Sequence, residues 1–459
     1  MRTSVVSAGL AAMLVATAVA PSLAGQGLFT DARRAGMGGV SLSLDASLSR
    51  YNAAYRAVPS RAGEGARAKA TIPVPFGLIQ FFRDHPISNL SKDPLFNPDS
   101  AAFNPVELLN LILSPPLFIQ LKQPPVPTND VAFTVGKNQL QVDLGKAQQL
   151  IPADPFGFAG SSRPLAIEPR FRGVQVGVVA WLHDEVNLQL GDSLLAFLKQ
   201  AHPAHDSTLY NVLGNALAEG GLAPTLGYAG RVFGNEDRGL YLGASAHYYI
   251  GAAYGSSSGS GGFTTGDTIF AGPNPVRPNG VATTSYSKWG NTFGHGVGVD
   301  AGVAWVSGPI VFGFGVNDIG ATITWPDTRT DYQHYDTTTV NGKARGWVTS
   351  APSLLHVETK TKLPVTYLAN VIYTLAGTTL GADVLDNGRG TQIHVGAEQR
   401  FGPFAARGGV ARDQRKRVEF GWGGGIRFGP LGFDVGFWTR SNALSDTRAI
   451  SMATSLSIY

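Results

Sequence analysis

Few stretches of this 459-residue chain carry the residue types and spacings that covalent chemistry needs. Gly255-Ser256-Ser257-Ser258-Gly259 has the spacing of a nucleophile elbow, in which a serine between glycines is held exposed on a sharp strand-to-helix turn. It lies in a serine and glycine tract with no such context, so low complexity explains it better. Gly296-Val297-Gly298-Val299-Asp300-Ala301 mimics a dinucleotide fingerprint, which works only where its glycines open a helix. Here the glycines fall inside an alternating, strand-like run. His202, His205 and Asp206 are of metal-ligating type, but polar residues in a helix-breaking loop around Pro203 need no metal. The chain has no cysteine, so thiolate metal sites, disulfides and a lipid-modified N-terminal cysteine are not expected. No catalytic set, metal site or cofactor is predicted.

The charged residues that remain are distributed by the parity of strands. In the segment Val418–Phe428, Val418, Phe420, Trp422, Ile426 and Phe428 share one face. Glu419, Gly421, Gly423, Gly425 and Arg427 share the other, the period of two that a pleated strand imposes. Leu431, Phe433, Val435 and Phe437 alternate likewise with Gly432, Asp434 and Gly436, and Ile393, Val395, Ala397 and Phe401 with Gln392, His394, Glu398 and Arg400. Alternation alone does not separate a soluble sandwich from a barrel. Aromatic residues at the ends of the apolar faces, glycine-rich opposite faces and an aromatic last residue, Tyr459, together predict a transmembrane antiparallel β-barrel with a lipid-facing band and a polar interior.

Composition agrees. Only 15% of residues are charged, against roughly 25% in soluble proteins, and 58 are glycine, nearly double the usual share of about 7%. The net charge of +4 is small, and no Lys/Arg run forms a nucleic-acid footprint. The cluster Arg412, Arg415, Lys416 and Arg417 falls in a turn between strands and reads as a solvated or lipopolysaccharide-facing loop. Residues 1–24 have the layout of a secretory signal peptide: Arg2, an apolar run from Val5 to Ala20, then small residues before Gly25. No later segment offers about 18 consecutive apolar residues for a membrane-spanning helix. An exported, greasy, strand-rich chain points to the bacterial outer membrane, with residues 25–459 forming the barrel. Outer-membrane lipid, lipopolysaccharide and the barrel-assembly machinery are then its expected partners.

Along the chain, a first wall strand is expected over residues 66–73 and short strands around Gly136. Two more strands flank His183-Asp184, and helical inserts are expected over 106–113, 193–199 and 208–218. Long strands follow from Leu222 onward, separated by a glycine- and serine-rich loop over 255–280 and a long connection over 326–362. This gives about 16 strands, or 14 if the pair around Gly136 lies outside the wall. Short and long connections alternate, as short periplasmic turns and long outer loops do in outer-membrane barrels. The last strand, 450–459, is expected to pair with the first.

The stretch Ala32-Arg33-Arg34-Ala35-Gly36-Met37-Gly38-Gly39-Val40, followed by Asp45 and Tyr51-Asn52-Ala53-Ala54, resembles the opening of the outer-membrane superfamily of FadL-like long-chain fatty-acid transporters and PorV-like barrel proteins. Ala53 stands where that family has proline. Phe314 to Gly320, Leu363-Pro364-Val365, Val395 to Glu398 and Arg407 to Val410 resemble later strands of the same superfamily, in the same order. The resemblance implies a barrel of 14 strands. It also implies that residues 25–60, through Gly36, Met37, Gly38, Gly39, Asp45 and Asn52, form a plug inside it; an ordinary glycine-rich first strand is the alternative.

Parity assigns Arg231, His247, Asp300, Asn317, Asp383, His394, Glu398, Arg400, Arg407, Glu419, Arg427 and Asp434 to the lumen, either as a structural salt-bridge network or as a selectivity lining. The apolar inserts Leu108, Leu109, Leu111 and Ile112, and Leu194, Phe197 and Leu198, fall in outer connections where water would not favour them uncovered. Packed together they would form a hydrophobic groove above the lumen, the place where FadL-like proteins take up fatty acids, or they would merely cap the barrel. Passive transport of hydrophobic or amphipathic, fatty-acid-like molecules is the first functional expectation. A PorV-like, non-transporting scaffold or shuttle in protein secretion or surface assembly is the second.

Overall fold

The computed structural model describes residues 32–42, 46–60, 70–73, 120–122, 132–136, 139–144, 155–167, 170–199, 203–267, 276–287, 293–340, 343–350, 353–388, 390–413, 416–441 and 448–459, with 153 and 269. The signal-peptide region, Asp45, and Leu108, Leu109, Leu111 and Ile112 lie outside these. The strands are β1 (Ala70–Pro73), β2 (Gln120–Lys122), β3 (Ala132–Gly136), β4 (Gln139–Asp143), β5 (Phe156–Ile167), β6 (Arg170–Phe171) and β7 (Val174–Leu190). Next come β8 (Leu209–Gly234), β9 (Arg238–Thr264), β10 (Arg277–Ser287), β11 (Gly294–Ser307), β12 (Ile310–Val340), β13 (Lys343–Thr349) and β14 (Leu354–Lys362). The series closes with β15 (Thr366–Leu375), β16 (Thr378–Asp386), β17 (Thr391–Phe401), β18 (Phe404–Arg412), β19 (Val418–Phe428), β20 (Leu431–Ser441) and β21 (Arg448–Ile458). All but β3 and β4, which form a hairpin of their own, belong to one antiparallel sheet.

Neighbours in sequence pair from β15 to β21, and β21 pairs with β1 through Ala70↔Ile458 to Pro73↔Ser455, so the last strand does meet the first. β1 and β2 both pair with β21 and share one place; β6 continues β5. Above β11, β10 bridges β9 and β12; above β15, β13 and β14 pair with the upper half of β12. The described strands therefore fill fourteen places in the wall. The wall curves around one internal segment: α1 (Ala32–Gly36) packs on β18 to β21, while a 3-10 helix (Ala53–Arg56) packs on β8, β9, β11 and β12.

The exposed face separates barrel from sandwich. Phe401, Phe404, Phe428 and Leu431 are 48–67% exposed around the short-turn end, and Val395, Val410, Phe420, Trp422 and Phe314 continue the greasy surface upward. A soluble fold would cover such a belt; a membrane barrel presents it to lipid. Opposite these residues Thr366, Leu368, Asn370, Ile372 and Thr374 of β15 are buried.

Four segments differ from the sequence expectation. Residues 208–218 are strand: Leu209, Val212, Leu213 and Leu217 have helix-like spacing, but both backbone edges are taken by β7 and β9, and only the first part of the insert, α2 (Asp192–Lys199), is helical. The glycine- and serine-rich loop and much of the long connection are likewise strand, in β9, β10, β12, β13 and β14. β8, β9 and β12 thus have 26, 27 and 31 residues, where about 9–11 cross a membrane. Their upper halves stand well above the lipid band, whereas β15 to β20 end near its edge. His183-Asp184 is not a turn but the middle of β7.

Candidate functional site

The described residues of 32–60 pack against the inner face of the wall, and this internal segment is termed the plug. Arg34 folds it on itself, donating from Nε to Gly39 O at 2.7 Å with its guanidinium 5.5 Å from the Tyr51 ring centroid. Gly38, at φ 66°, makes the turn; a Cβ there would stand 2.6 Å from Val410 N, so only glycine fits. Asn52 starts the 3-10 helix, accepting from Ala54 N at 3.0 Å and donating from Nδ2 to Val303 O of the wall at 3.0 Å. A tight turn therefore forms here with Ala53, the position where the resembling superfamily has proline. Met37, Val40, Leu42, Leu48 and Tyr55 pack against Leu368, Ile372, Val306, Val311 and Leu385 of the wall.

What admits backbone so close to a β-wall is two rows of cross-strand glycines. Gly381, Gly396, Gly409 and Gly421 face one another across β16 to β19, and Gly243, Gly302 and Gly315 across β9, β11 and β12. A Cβ at Gly409 would lie 2.1 Å from Met37 O, at Gly421 2.4 Å from Ala35 O, and at Gly315 2.2 Å from Tyr51 O. The inward glycines seen in the sequence are thus the seat of the plug.

Ion pairs then clamp it. Glu398 accepts Arg33 Nε at 2.8 Å and Nη2 at 2.9 Å, Arg400 Nε at 2.8 Å and Arg407 Nε at 2.7 Å. Arg407 also reaches Asp434 at 2.7 Å. Next along the plug, Ser41 N donates to Asp383 Oδ2 at 3.0 Å, and Asp383 is bonded in turn to His394. Charges buried this deeply are tolerable only when paired and hydrogen-bonded, and each of these carboxylates is.

A second network crosses the lumen. Arg163 of β5 pairs with Asp300 of β11 and, at 2.8 Å, with Asp318 of β12. His247 Nε2 lies 2.7 Å from Asp300, its Nδ1 2.8 Å from Thr225 Oγ1, and Tyr249 donates to Asp318. Arg50 of the plug donates to Arg163 O at 2.8 Å, so the plug is tied to β5 as well as to β21. Asp318 and Gly320 have positive φ and form a bulge in β12, where the strand changes partner from β15 to β14.

Of the residues assigned inward by parity, His247, Asp300, Asn317, Asp383, His394, Glu398, Glu419 and Asp434 are buried, and Arg400 and Arg407 join them through Glu398. Two differ in place. Arg231 lies in the exposed last turn-ward residues of β8, beyond the buried run, and lines the rim rather than the lumen. Arg427 also sits at the short-turn end, 4.0 Å above the Tyr459 ring. Gly36, Met37, Gly38, Gly39 and Asn52 all belong to the plug.

Sequence reasoning missed Arg163, Asp318 and Tyr249, and with them a third cluster above the plug. There the Glu219 carboxylate accepts from His183 Nδ1 at 2.9 Å, Trp325 Nε1 at 3.0 Å and Thr361 Oγ1 at 2.5 Å. Trp181, Tyr249, Tyr254, Trp325, Ile323 and Leu363 surround it, with Trp181 edge-on to Tyr249 at 5.5 Å. Phe197 is buried with Val142, Tyr210 and Ile269, and the half-buried Leu194 and Leu198 pack against the same cluster, so α2 lies on the β8–β9 wall with part of its apolar face open. The glycine-flanked serines lie within β9 and Gly296 to Ala301 within β11, neither in the context its motif requires.

No family model matches the chain, and no curated protein does. Among solved structures, the deltaS2S3 mutant of the TodX monoaromatic hydrocarbon channel is similar at 10% identity and TM-score 0.36, over 65% of this chain and 83% of that one. The Pseudomonas putida toluene transporter TodX gives 11% and 0.33, over 67% and 87%, and a mutant Rh. blastica porin 12% and 0.21, over 66% and 97%. At identities of 10–12% and scores no higher than 0.36, these likenesses do not place the chain in a family.

Proposed function

We propose that this chain is an outer-membrane barrel that passes hydrophobic or amphipathic small molecules, fatty-acid-like ones among them, down their gradient. The observation that carries the reading is the interior above the plug. A porin-type channel for polar solutes is lined by polar groups throughout; here Trp181, Tyr249, Tyr254, Trp325, Ile323 and Leu363 turn inward between the long strands and the plug. Apolar walls with a few placed polar groups suit an apolar ligand. The long-connection end faces outward in this reading, and the inserts around Leu109 and Leu198 supply the entrance groove. Assembly machinery of the outer membrane and outer-membrane lipid are the partners that follow.

The clamp on the plug favours a second reading, a closed scaffold that serves secretion or surface assembly of other proteins. Glu398, with three guanidiniums on it, is a lock rather than a conduit. Uptake of a fluorescent fatty acid into liposomes carrying the purified barrel distinguishes the two. Transport predicts uptake above protein-free liposomes, weakened by Leu109→Asp and Leu198→Asp with heat-modifiable barrel formation intact. Absence of uptake, together with a co-purifying protein in native mass spectrometry, would replace transport by the scaffold reading.

A further inference from the structure

The lipid-facing wall is not evenly greasy. On β15 to β18, Ala382, Ala397 and Gly408 sit on the outward face between larger neighbours, Val371, Tyr373, Leu380, Val395 and Val410, and leave a groove of about 410 Å³. Ala397 and Gly408 are partners in register, whereas Ala382 pairs with Val395, two residues from Ala397, so the groove steps obliquely across the strands.

Two positions above Val410 on the same face of β18 stands Arg412, exposed and paired in register with Val418 at the upper limit of the apolar run that begins at Phe428. That run is eleven residues, which a strand tilted about 45° lays across the hydrocarbon layer. Arg412 is therefore at headgroup height. The turn above it is closed by Asp413 N donating to Arg417 O at 2.9 Å, Lys416 N to Asp413 O at 2.9 Å and Arg417 N to Asp413 Oδ1 at 2.7 Å. Asp413 is buried, while Lys416 is exposed, and neither Arg412 nor Lys416 meets an acidic side chain among the described residues.

We infer that this face binds one phosphorylated, acylated lipid of the outer leaflet, its phosphate on Arg412 and Lys416 and an acyl chain in the groove over Ala397 and Gly408. Gly408 to Arg412 is roughly 14 Å along the strand at about 3.4 Å per residue, the reach from a lipid phosphate to the middle of its chain. Charge and shape are continuous on one surface: guanidinium and ammonium are the donors a phosphate takes, and a water-free apolar trough is what an acyl chain fills. A second groove of about 470 Å³, over Ala244 and Ala301 on β9 and β11, has no cation two residues above it and serves as an internal control.

The test is native mass spectrometry of delipidated barrel in detergent, titrated with diphosphoryl lipid A, phosphatidylglycerol or phosphatidylcholine. Wild type should take up a single lipid A at concentrations where phosphatidylcholine does not bind. Arg412→Ser with Lys416→Ser should weaken lipid A by at least about tenfold. A Cβ at Gly408 meets nothing within 4 Å, so Gly408→Leu fills the groove without disturbing the plug; it should weaken both anionic lipids, and Ala301→Leu neither. Heat-modifiability checks that each variant is folded, with Ala397→Val as the replacement should Gly408→Leu not assemble. Equal uptake of phosphatidylcholine and lipid A, unchanged binding in the double serine variant, or binding indifferent to a filled groove would each overturn the assignment, the last by reducing the site to a phosphate contact.

Discussion

Placing a side chain on the glycine seat should unseat the plug and leave the wall standing. With valine at Gly409 and Gly421, Cβ atoms would lie 2.1 Å from Met37 O and 2.4 Å from Ala35 O, where ordinary contact begins near 3.4 Å. The plug must lift by about 1 Å, because neither wall nor plug has slack at native packing density. A lift of that size stretches the 2.8 and 2.9 Å bonds from Arg33 to Glu398 beyond hydrogen-bonding range. Overpacking costs about 1–3 kcal/mol and each charged hydrogen bond about 1.5–3 kcal/mol, together on the order of 5 kcal/mol. At about 1.4 kcal/mol per tenfold, plug docking weakens by roughly three to four orders of magnitude. Because the chain has no cysteine, Ser41→Cys provides a single thiol on the plug, buried when it is seated. Its maleimide labelling in micelles should be slow alone and fast with Gly409→Val and Gly421→Val, and single-channel conductance should rise in parallel. Gly408→Val, on the outer face of the same strand, should do neither. Labelling within about twofold of the parent in the double variant would refute the seat.

Glu219→Ala would leave His183, Trp325 and Thr361 without their common acceptor and should lower the temperature of heat modification, a loss of about 3–5 kcal/mol; an unchanged transition would make the cluster incidental. Deleting residues 449–459 removes the partner of both β20 and β1 and should abolish membrane assembly, read as loss of the heat-modifiable band. In the extension above the membrane, burial opposes ionisation of Asp331, but hydrogen bonds from Ser353 and Arg329 and the Arg329 charge hold its carboxyl below the ordinary 3.8. The stabilisation is present above the unfolded value and is lost as pH falls through the folded one, so amide exchange in β10 and β12 should quicken only below about pH 4, and Asp331→Asn should remove that dependence.

How far the fold was legible depended on whether one strand sufficed to reveal its own role. Parity from β15 to β21 could be read directly, because a pleated strand separates lipid-facing Val395 or Phe420 from lumenal Glu398 or Glu419 whatever its neighbours are. The extension was hidden for the complementary reason. Tyr254 to Gly262 and Thr328 to Thr339 meet no lipid, so they alternate weakly and read as loop, and only pairing across β8, β9, β10 and β12 makes them strands. Residues 208–218 show local helical spacing overruled by two ladders.

Within the lumen the chain itself determined which charges turn inward; the fold decided which of them meet. Arg33 and Glu398 are 365 residues apart, and their pairing follows from where the plug comes to rest. That resting place depends on glycines from seven strands lining up in register, each uninformative as a lone small residue and decisive only as part of a row. Arg163, Asp318 and Glu219 escaped for the same physical reason: a bulge or an irregular register turns them inward, and such departures from period two are settled by the partner strand rather than by the sequence that carries them.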